Sequence, residues 1–191
     1  MPKQSVKRPP SALVIKTYVE FEELVSAFVA GYLPLLVIMG RPGLSKSQSL
    51  KRATAESEAL IVKGRKSAID FYIDLYFYRD KPVLLDDADN LLSQTLCREY
   101  IKALTETDEY KQLDYGTKTK ILDNERVPKH FWTTSHVCII TNFWNSNDAI
   151  LHAIESRAEF IYFDPDWTEL YRQVGTWFWD QEIYDYVYAR L

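Results

Sequence analysis

Short, wholly apolar runs alternate along this chain with longer segments whose apolar residues recur at helical spacing. Four runs stand out: Leu35-Leu36-Val37-Ile38-Met39, Pro82-Val83-Leu84-Leu85, Val137-Cys138-Ile139-Ile140-Thr141 and Phe160-Ile161-Tyr162-Phe163. Apolar residues on consecutive positions predict strands buried on both faces, the habit of parallel sheets between helices. A shorter run, Ala59-Leu60-Ile61-Val62, ends at Gly64 and predicts a further strand. Tyr18, Phe21, Leu24, Phe28 and Val29 predict a helix over 17–30 that Gly31 stops, and Ile69, Tyr72, Ile73 and Tyr76 predict another behind a Ser67 cap. Helices are also predicted over 46–57, over 89–107, around Ile150, Leu151 and Ile154, and in one or two pieces after Asp166. The polar stretch 108–135 is too long for an ordinary loop and predicts a hairpin or a broken helix with a specific job. Strands alternating with helices give an α/β domain with a largely parallel sheet covered on both faces. Pro9-Pro10 marks residues 1–12 as a flexible basic arm, 13–165 as the core, and 166–191 as a short helical segment.

Composition agrees with one folded domain: 191 residues, 47% hydrophobic and 26% charged, with no fibrous or disordered signature. Lys+Arg is 23 against 27 Asp+Glu, a formal net charge of -4, which argues against a globally basic nucleic-acid binder. Local positive charge does collect at Lys111, Lys118, Lys120, Arg126, Lys129 and His130, mixed with Asp108, Glu109, Asp114, Asp123 and Glu125. Cys97 and Cys138 have neither metal-site spacing nor a disulfide framework, which suits a reducing cytoplasm. MPKQSVKRPPS has no apolar core for a signal peptide, and no apolar stretch approaches the roughly 18 residues of a membrane helix. The aromatic tail (Trp177, Phe178, Trp179, Tyr184, Tyr186, Tyr188) lacks interleaved lysines. It reads as a packed helical core or subunit contact rather than a stacking platform for bases.

The chemistry concentrates where the first apolar run ends. Gly40-Arg41-Pro42-Gly43-Leu44-Ser45 forms a turn, and Lys46-Ser47 opens a helix. A buried strand, a glycine turn and a helix N-terminus carrying Lys-Ser suit nucleotide phosphates: backbone N–H groups point inward, with Lys and the hydroxyl serving phosphate and Mg²⁺. The pattern G-x-x-x-x-G-K-[ST] is broken once, at Ser45. The run ending at Leu85 is followed by Asp86-Asp87-Ala88-Asp89, at the carboxyl end of a strand, where open α/β sheets place their ligands.

Four stretches in this order, VIMGRPGLSKS, VLLDDAD, CIITN and ESRAEFIYF, resemble the AAA+ branch of P-loop ATPases over about residues 30–165. The Ser156-Arg157 pair is similar to that of clamp-loader and helicase-loader members. KHFWTTS and WFWDQEIYDYV resemble ATP-binding proteins of phage, plasmid or mobile-element type. The resemblance implies a P-loop NTPase three-layer sandwich that binds and hydrolyses ATP with Mg²⁺ in DNA replication, loading or mobile-element maintenance. It implies that Lys46 neutralises the β- and γ-phosphates within the loop Gly40, Arg41, Pro42, Gly43, Leu44, Ser45, Lys46, Ser47. Ser47 and Asp86 would hold Mg²⁺, Asp87 would stand where the family carries its general-base Glu, and Asn142 would orient water. Arg157 would be an arginine finger acting in trans in a homo-oligomer, with DNA as partner through 108–135. The family's helical lid is expected to be truncated or minimal, with Arg172 and Arg190 as stand-ins for its arginine.

Simpler roles compete with each of these. The acids 86, 87 and 89 could cap a helix, Asn142 could cap a turn, and Arg157 could pair with Glu155 or Glu159. Ser45 puts a Cβ near the phosphates, and Asp87 is one methylene shorter than Glu. Both favour an alternative, a catalytically weak or inactive nucleotide-binding scaffold for protein–protein interaction. A small-molecule kinase using the same loop leaves Asn142 unexplained.

Overall fold

Six parallel strands form a sheet whose carboxyl ends all point to one edge of the molecule. The computed structural model describes residues 8–116, 119–177 and Ala189. Lys118, Phe178, Trp179, Tyr184, Tyr186, Tyr188 and Arg190 therefore lie outside the described residues.

The elements follow in chain order. A short edge strand β1 (Leu13–Ile15) precedes helix α1 (Tyr18–Val29), which Thr17 caps by accepting from the Glu20 N–H. Next come β2 (Leu35–Gly40), α2 (Lys46–Ala53) and β3 (Leu60–Lys63). Helix α3 (Ala68–Phe77) has the expected Ser67 cap, the hydroxyl accepting from the Asp70 N–H at 3.2 Å. β4 (Val83–Asp86), α4 (Asp89–Ser93) and α5 (Thr95–Leu104) follow. The polar stretch holds β5 (Lys111–Asp114), α6 (Lys120–Asn124) and β6 (His130–Thr133). Then come β7 (Val137–Thr141), α7 (Ala149–Glu155), β8 (Glu159–Phe163) and α8 (Trp167–Trp177).

The sheet order is β1-β8-β2-β7-β4-β3. Along β2 the side chains alternate between two cores. Leu36 and Ile38 meet Tyr18, Phe21, Val25 and Phe28 of α1 with Leu50 of α2. Leu35, Val37 and Met39 meet α3, α5 and α7 through Phe71, Ile101 and Ile154. Burying a side chain of this size contributes ~1.5–3 kcal/mol, so two-sided burial decides the strand assignment over any local preference.

Three boundaries differ from expectation. Helix α2 ends at Ala53 instead of 57, because the Thr54 hydroxyl back-bonds to the Leu50 carbonyl (2.8 Å) and the chain tightens into i→i+3 turns. The helix predicted over 89–107 is split at Gln94, whose backbone is extended and whose amide donates to the Lys66 carbonyl at 2.9 Å. Strand β1 had no apolar signature long enough to read, yet it pairs with β8 from Leu13↔Ile161 to Ile15↔Phe163.

The stretch 108–135 is an antiparallel ribbon of β5 and β6 with α6 in its loop. Phe131 packs edge-on against Tyr72 and Tyr76 of α3, at 5.2 and 5.4 Å between ring centroids. The Tyr72 hydroxyl donates to the Pro128 carbonyl at 3.0 Å. Lys111, counted above among the basic residues, is buried and donates to the Ser135 carbonyl at 2.7 Å. It is a structural lysine, withdrawn from the surface.

Candidate functional site

Backbone requirements shape the loop between β2 and α2. A Cβ on Gly40 would stand 2.5 Å from the Phe163 carbonyl oxygen of the neighbouring strand, so only glycine fits this close approach. Gly43 has φ +84, and Ser45 is also left-handed, at φ 54 and ψ 19. The position where the pattern asks for glycine is thus one that glycine adopts without strain and serine does not. The Tyr18 hydroxyl, pushed up to about 12 first by burial and then by Glu169 and Glu22, donates to the Leu44 carbonyl at 3.1 Å and ties the loop to α1.

Lys46 curls back under this loop. Its Nζ donates to the carbonyls of Gly40 (2.8 Å) and Arg41 (2.6 Å). Burial lowers its pKa to about 8, with Asp86 opposing. The Ser47 hydroxyl donates to Asp86 Oδ1. The Arg41 side chain turns the other way, donating to the Pro165 carbonyl (3.0 Å), pairing with Asp164 (3.2 Å) and lying over Trp167 (5.7 Å to the ring).

Sheet register gathers the remaining groups. Asp86 ends β4 opposite Lys63 of β3 and Ile140 of β7, and Met39 faces Thr141. β7 lies between β2 and β4, so Asn142, just past its end, falls between the loop and the acid. A cavity of about 480 Å³ opens here, lined by loop residues 42–48 with Lys51, Lys63, Asp86, Asp87 and Asn142. Asp86 Oδ2 is held by Lys63 at 3.1 Å and Lys51 at 3.3 Å. Burial raises the Asp86 pKa, but the bonds from Ser47, Lys63 and Lys51 outweigh it, and the group sits below its ordinary value. Lys51 is lowered, first by the neighbouring Lys63 and then by burial.

The predicted residues thus divide. Gly43, Leu44, Ser45, Lys46, Ser47, Asp86, Asp87 and Asn142 meet at one cavity, with Pro42 at its rim. Gly40 supports it from β2, and Arg41 contributes its carbonyl rather than its guanidinium. Arg157 is exposed and lies outside the cavity. Glu155 is engaged instead by Ser11, Ser146 and Trp144, so the local Arg157 pairing is not formed there. Helix capping does not account for Asp86, because the cap position of α4 is Ala88, with no side-chain bond. Nor is the turn after β7 capped by Asn142: the Thr141 hydroxyl accepts from the Phe143 N–H and donates to its carbonyl. Arg172 is paired with Glu169 at 2.6 Å on α8. Sequence reasoning missed Lys51 and Lys63. Lys51 lies one helical turn beyond Ser47 on the same face, a spacing that could have been read, whereas Lys63 needed the strand register.

For Mg²⁺ the donor set fits on one side only. Ser47 Oγ and Asp86 Oδ1 offer two adjacent oxygens of the hard type Mg²⁺ takes. The other carboxylate oxygen already carries two ammonium groups. As arranged, the site does not fit the ion, and among the described residues no cluster of three His, Cys, Asp or Glu could hold a metal elsewhere.

The architecture is that of the broad class of parallel α/β sandwiches that carry nucleotide sites at the carboxyl ends of their strands. No protein-family model matches the sequence, and no curated protein matches it. Among the described residues, no helix is long and apolar enough to cross a membrane.

Proposed function

We propose that this chain binds a nucleoside triphosphate, ATP, through its phosphates at the cavity between β2, α2 and β4. The observation that carries the reading is the placement of Lys46. A buried ammonium rests on the carbonyls of its own loop, beside the N-terminus of an eight-residue helix and across from Asp86. An anion entering the cavity would meet that ammonium and the free backbone N–H groups of the helix start together.

In this reading the protein is an AAA+-type ATPase working in DNA replication or loading. Asp87 and Asn142 at the cavity wall position the attacking water, since phosphoryl transfer needs placement and charge compensation more than covalent help. Arg157 completes the site of a neighbouring copy, which its exposed position outside its own cavity supports. The exposed Lys120, Arg126, Lys129 and His130 of the ribbon are the groups available for DNA phosphates. A second reading, a nucleotide-binding scaffold that does not turn over, is favoured by the two lysines on Asp86 and by the strained Ser45.

Calorimetry with ATP tests the central claim. Lys46→Ala should weaken binding about 100-fold, the loss of a charge-assisted contact of ~2.7 kcal/mol, and should lower stability by ~1–3 kcal/mol for the buried carbonyl bonds it removes while leaving the chain folded. Equal affinity in the folded variant would remove the phosphate assignment. Phosphate release by the wild type at rising protein concentration then separates the ATPase from the scaffold.

A further inference from the structure

Among the described residues, three ammonium groups, Lys46, Lys51 and Lys63, and two carboxylates, Asp86 and Asp87, line the cavity. These described groups together carry a net positive charge before any metal arrives. Two of the three cations are concentrated on a single oxygen. Lys51 reaches Asp86 Oδ2 from α2, one turn past Ser47, and Lys63 reaches it from the adjacent strand, where register sets it beside Asp86. Ser47 occupies the other oxygen. Three of the roughly four acceptor sites that this carboxylate offers are in use, so both oxygens are already engaged before a divalent ion arrives.

An ion pair of this kind on a surface strand is ordinarily worth little. Here the carboxylate side chain is only 10% exposed and Lys51 27%, so that pair sits inside the mouth of the cavity, while Lys63, 54% exposed, reaches it from the solvent side. Two ammonium groups on one carboxylate leave one positive charge without an internal partner. The nearest place for a compensating anion is the cavity both lysines line, opposite Lys46.

We propose that Lys51 and Lys63 stand in for the divalent cation, so that this site takes a polyphosphate chain without requiring Mg²⁺. Lys46 holds the phosphates nearest the loop, and the Lys51–Lys63 pair offsets the charge of the terminal phosphate from the Asp86 side. A divalent ion must displace the lysines from Asp86 and is repelled by both, so it adds little to affinity. This inference rests on the phosphate-binding reading and specifies the chemistry of that site.

The experiment is calorimetric binding of ATP, and of inorganic tripolyphosphate as a base-free probe, to the full chain in excess EDTA and in excess Mg²⁺. Wild-type protein should bind ATP in EDTA within ~10-fold of its affinity in Mg²⁺. The double variant Lys51→Met/Lys63→Met should lose at least ~10-fold in EDTA, and its affinity should become strongly Mg²⁺-dependent because Asp86 is released. Lys63→Met alone, at a side chain 54% exposed, gives the same direction with little risk to folding. Wild-type binding that appears only with Mg²⁺, or variants that bind in EDTA like the wild type, would overturn the inference and leave phosphate binding standing. Absence of binding in both media would overturn the phosphate-binding reading with it.

Discussion

Two lysines, Lys46 at the carboxyl edge of the sheet and Lys111 in the β5–α6–β6 ribbon, are buried to similar degrees and bonded to main-chain carbonyls. The resemblance ends there. Lys46 lies on the wall of a cavity that Asp86 also lines, and in the proposed function its carbonyl partners are exchanged for phosphate. Lys111 belongs to β5 of a ribbon anchored by aromatic rings and serves one carbonyl, Ser135. In the proposed reading the same residue type is thus a binding group in one region, while it is a structural strut in the other. Burial alone does not separate the two roles; what separates them is whether open space and opposite charge adjoin the ammonium.

The largest effect that tests this contrast is expected in the ribbon. Phe131→Ala leaves a hole between β6 and the Tyr72–Tyr76 face of α3 and should cost ~3–5 kcal/mol of unfolding free energy. Denaturant titration measures it, and ATP affinity should stay at the wild-type value in the folded protein. A loss of binding as large as the loss of stability would show that the two regions are one cooperative unit and would break the comparison.

Lys111→Met comes next. The thioether fills the stem's volume but leaves the Ser135 carbonyl unpaired, at an expected cost of ~1–3 kcal/mol. The sign of its pH dependence is distinctive. Burial depresses the Lys111 pKa in the folded state, so the unfolded chain holds the extra proton between the depressed value and the ordinary one. Stability then rises with pH across that window, up to about 10.4. Lys111→Met should abolish this rise. An unchanged alkaline profile would mean that Lys111 keeps an ordinary ammonium in contact with water.

How much of this could be read beforehand follows from the physics of each part. The runs at 35–39, 83–85, 137–141 and 160–163 were legible as strands because burial on both faces forces consecutive apolar residues. The loop was legible because Gly40 and Gly43 are required by a close approach and by a positive φ, both local demands. Asp86 was legible as a strand-end acid. Lys63 was not, since its place beside Asp86 depends on the pairing of β3 with β4, which no local pattern encodes. Lys111 misled for the converse reason: amid polar residues its burial follows from the alternation of β5, which turns it to the buried face with Leu113, opposite Thr133. The break at Gln94 was hidden because its cause, the Lys66 carbonyl, is distant in sequence. Ser45 was legible as an anomaly, although its conformation had to be observed to explain why.

That conformation supports the smallest and most discriminating prediction. Ser45 and Arg126 are both non-glycine residues in the left-handed region, at φ 54 and φ 56, one in the loop and one in the ribbon. A Cβ there costs ~1–2 kcal/mol against the following carbonyl, while glycine returns ~0.5–1 kcal/mol of that through its freer unfolded chain. Ser45→Gly and Arg126→Gly should therefore each stabilise by up to about 1 kcal/mol, a rise of ~2–4 °C in Tm for a chain of this size. Their effects on the ligand should differ. Ser45→Gly removes a Cβ and hydroxyl from the cavity wall and lets the backbone approach phosphate, so ATP affinity should rise about 3-fold, less than 1 kcal/mol. Arg126→Gly should leave it unchanged. Equal shifts in affinity from the two substitutions would mean that the gain comes from stability alone, and the loop would lose its claim to be the surface on which the ligand rests.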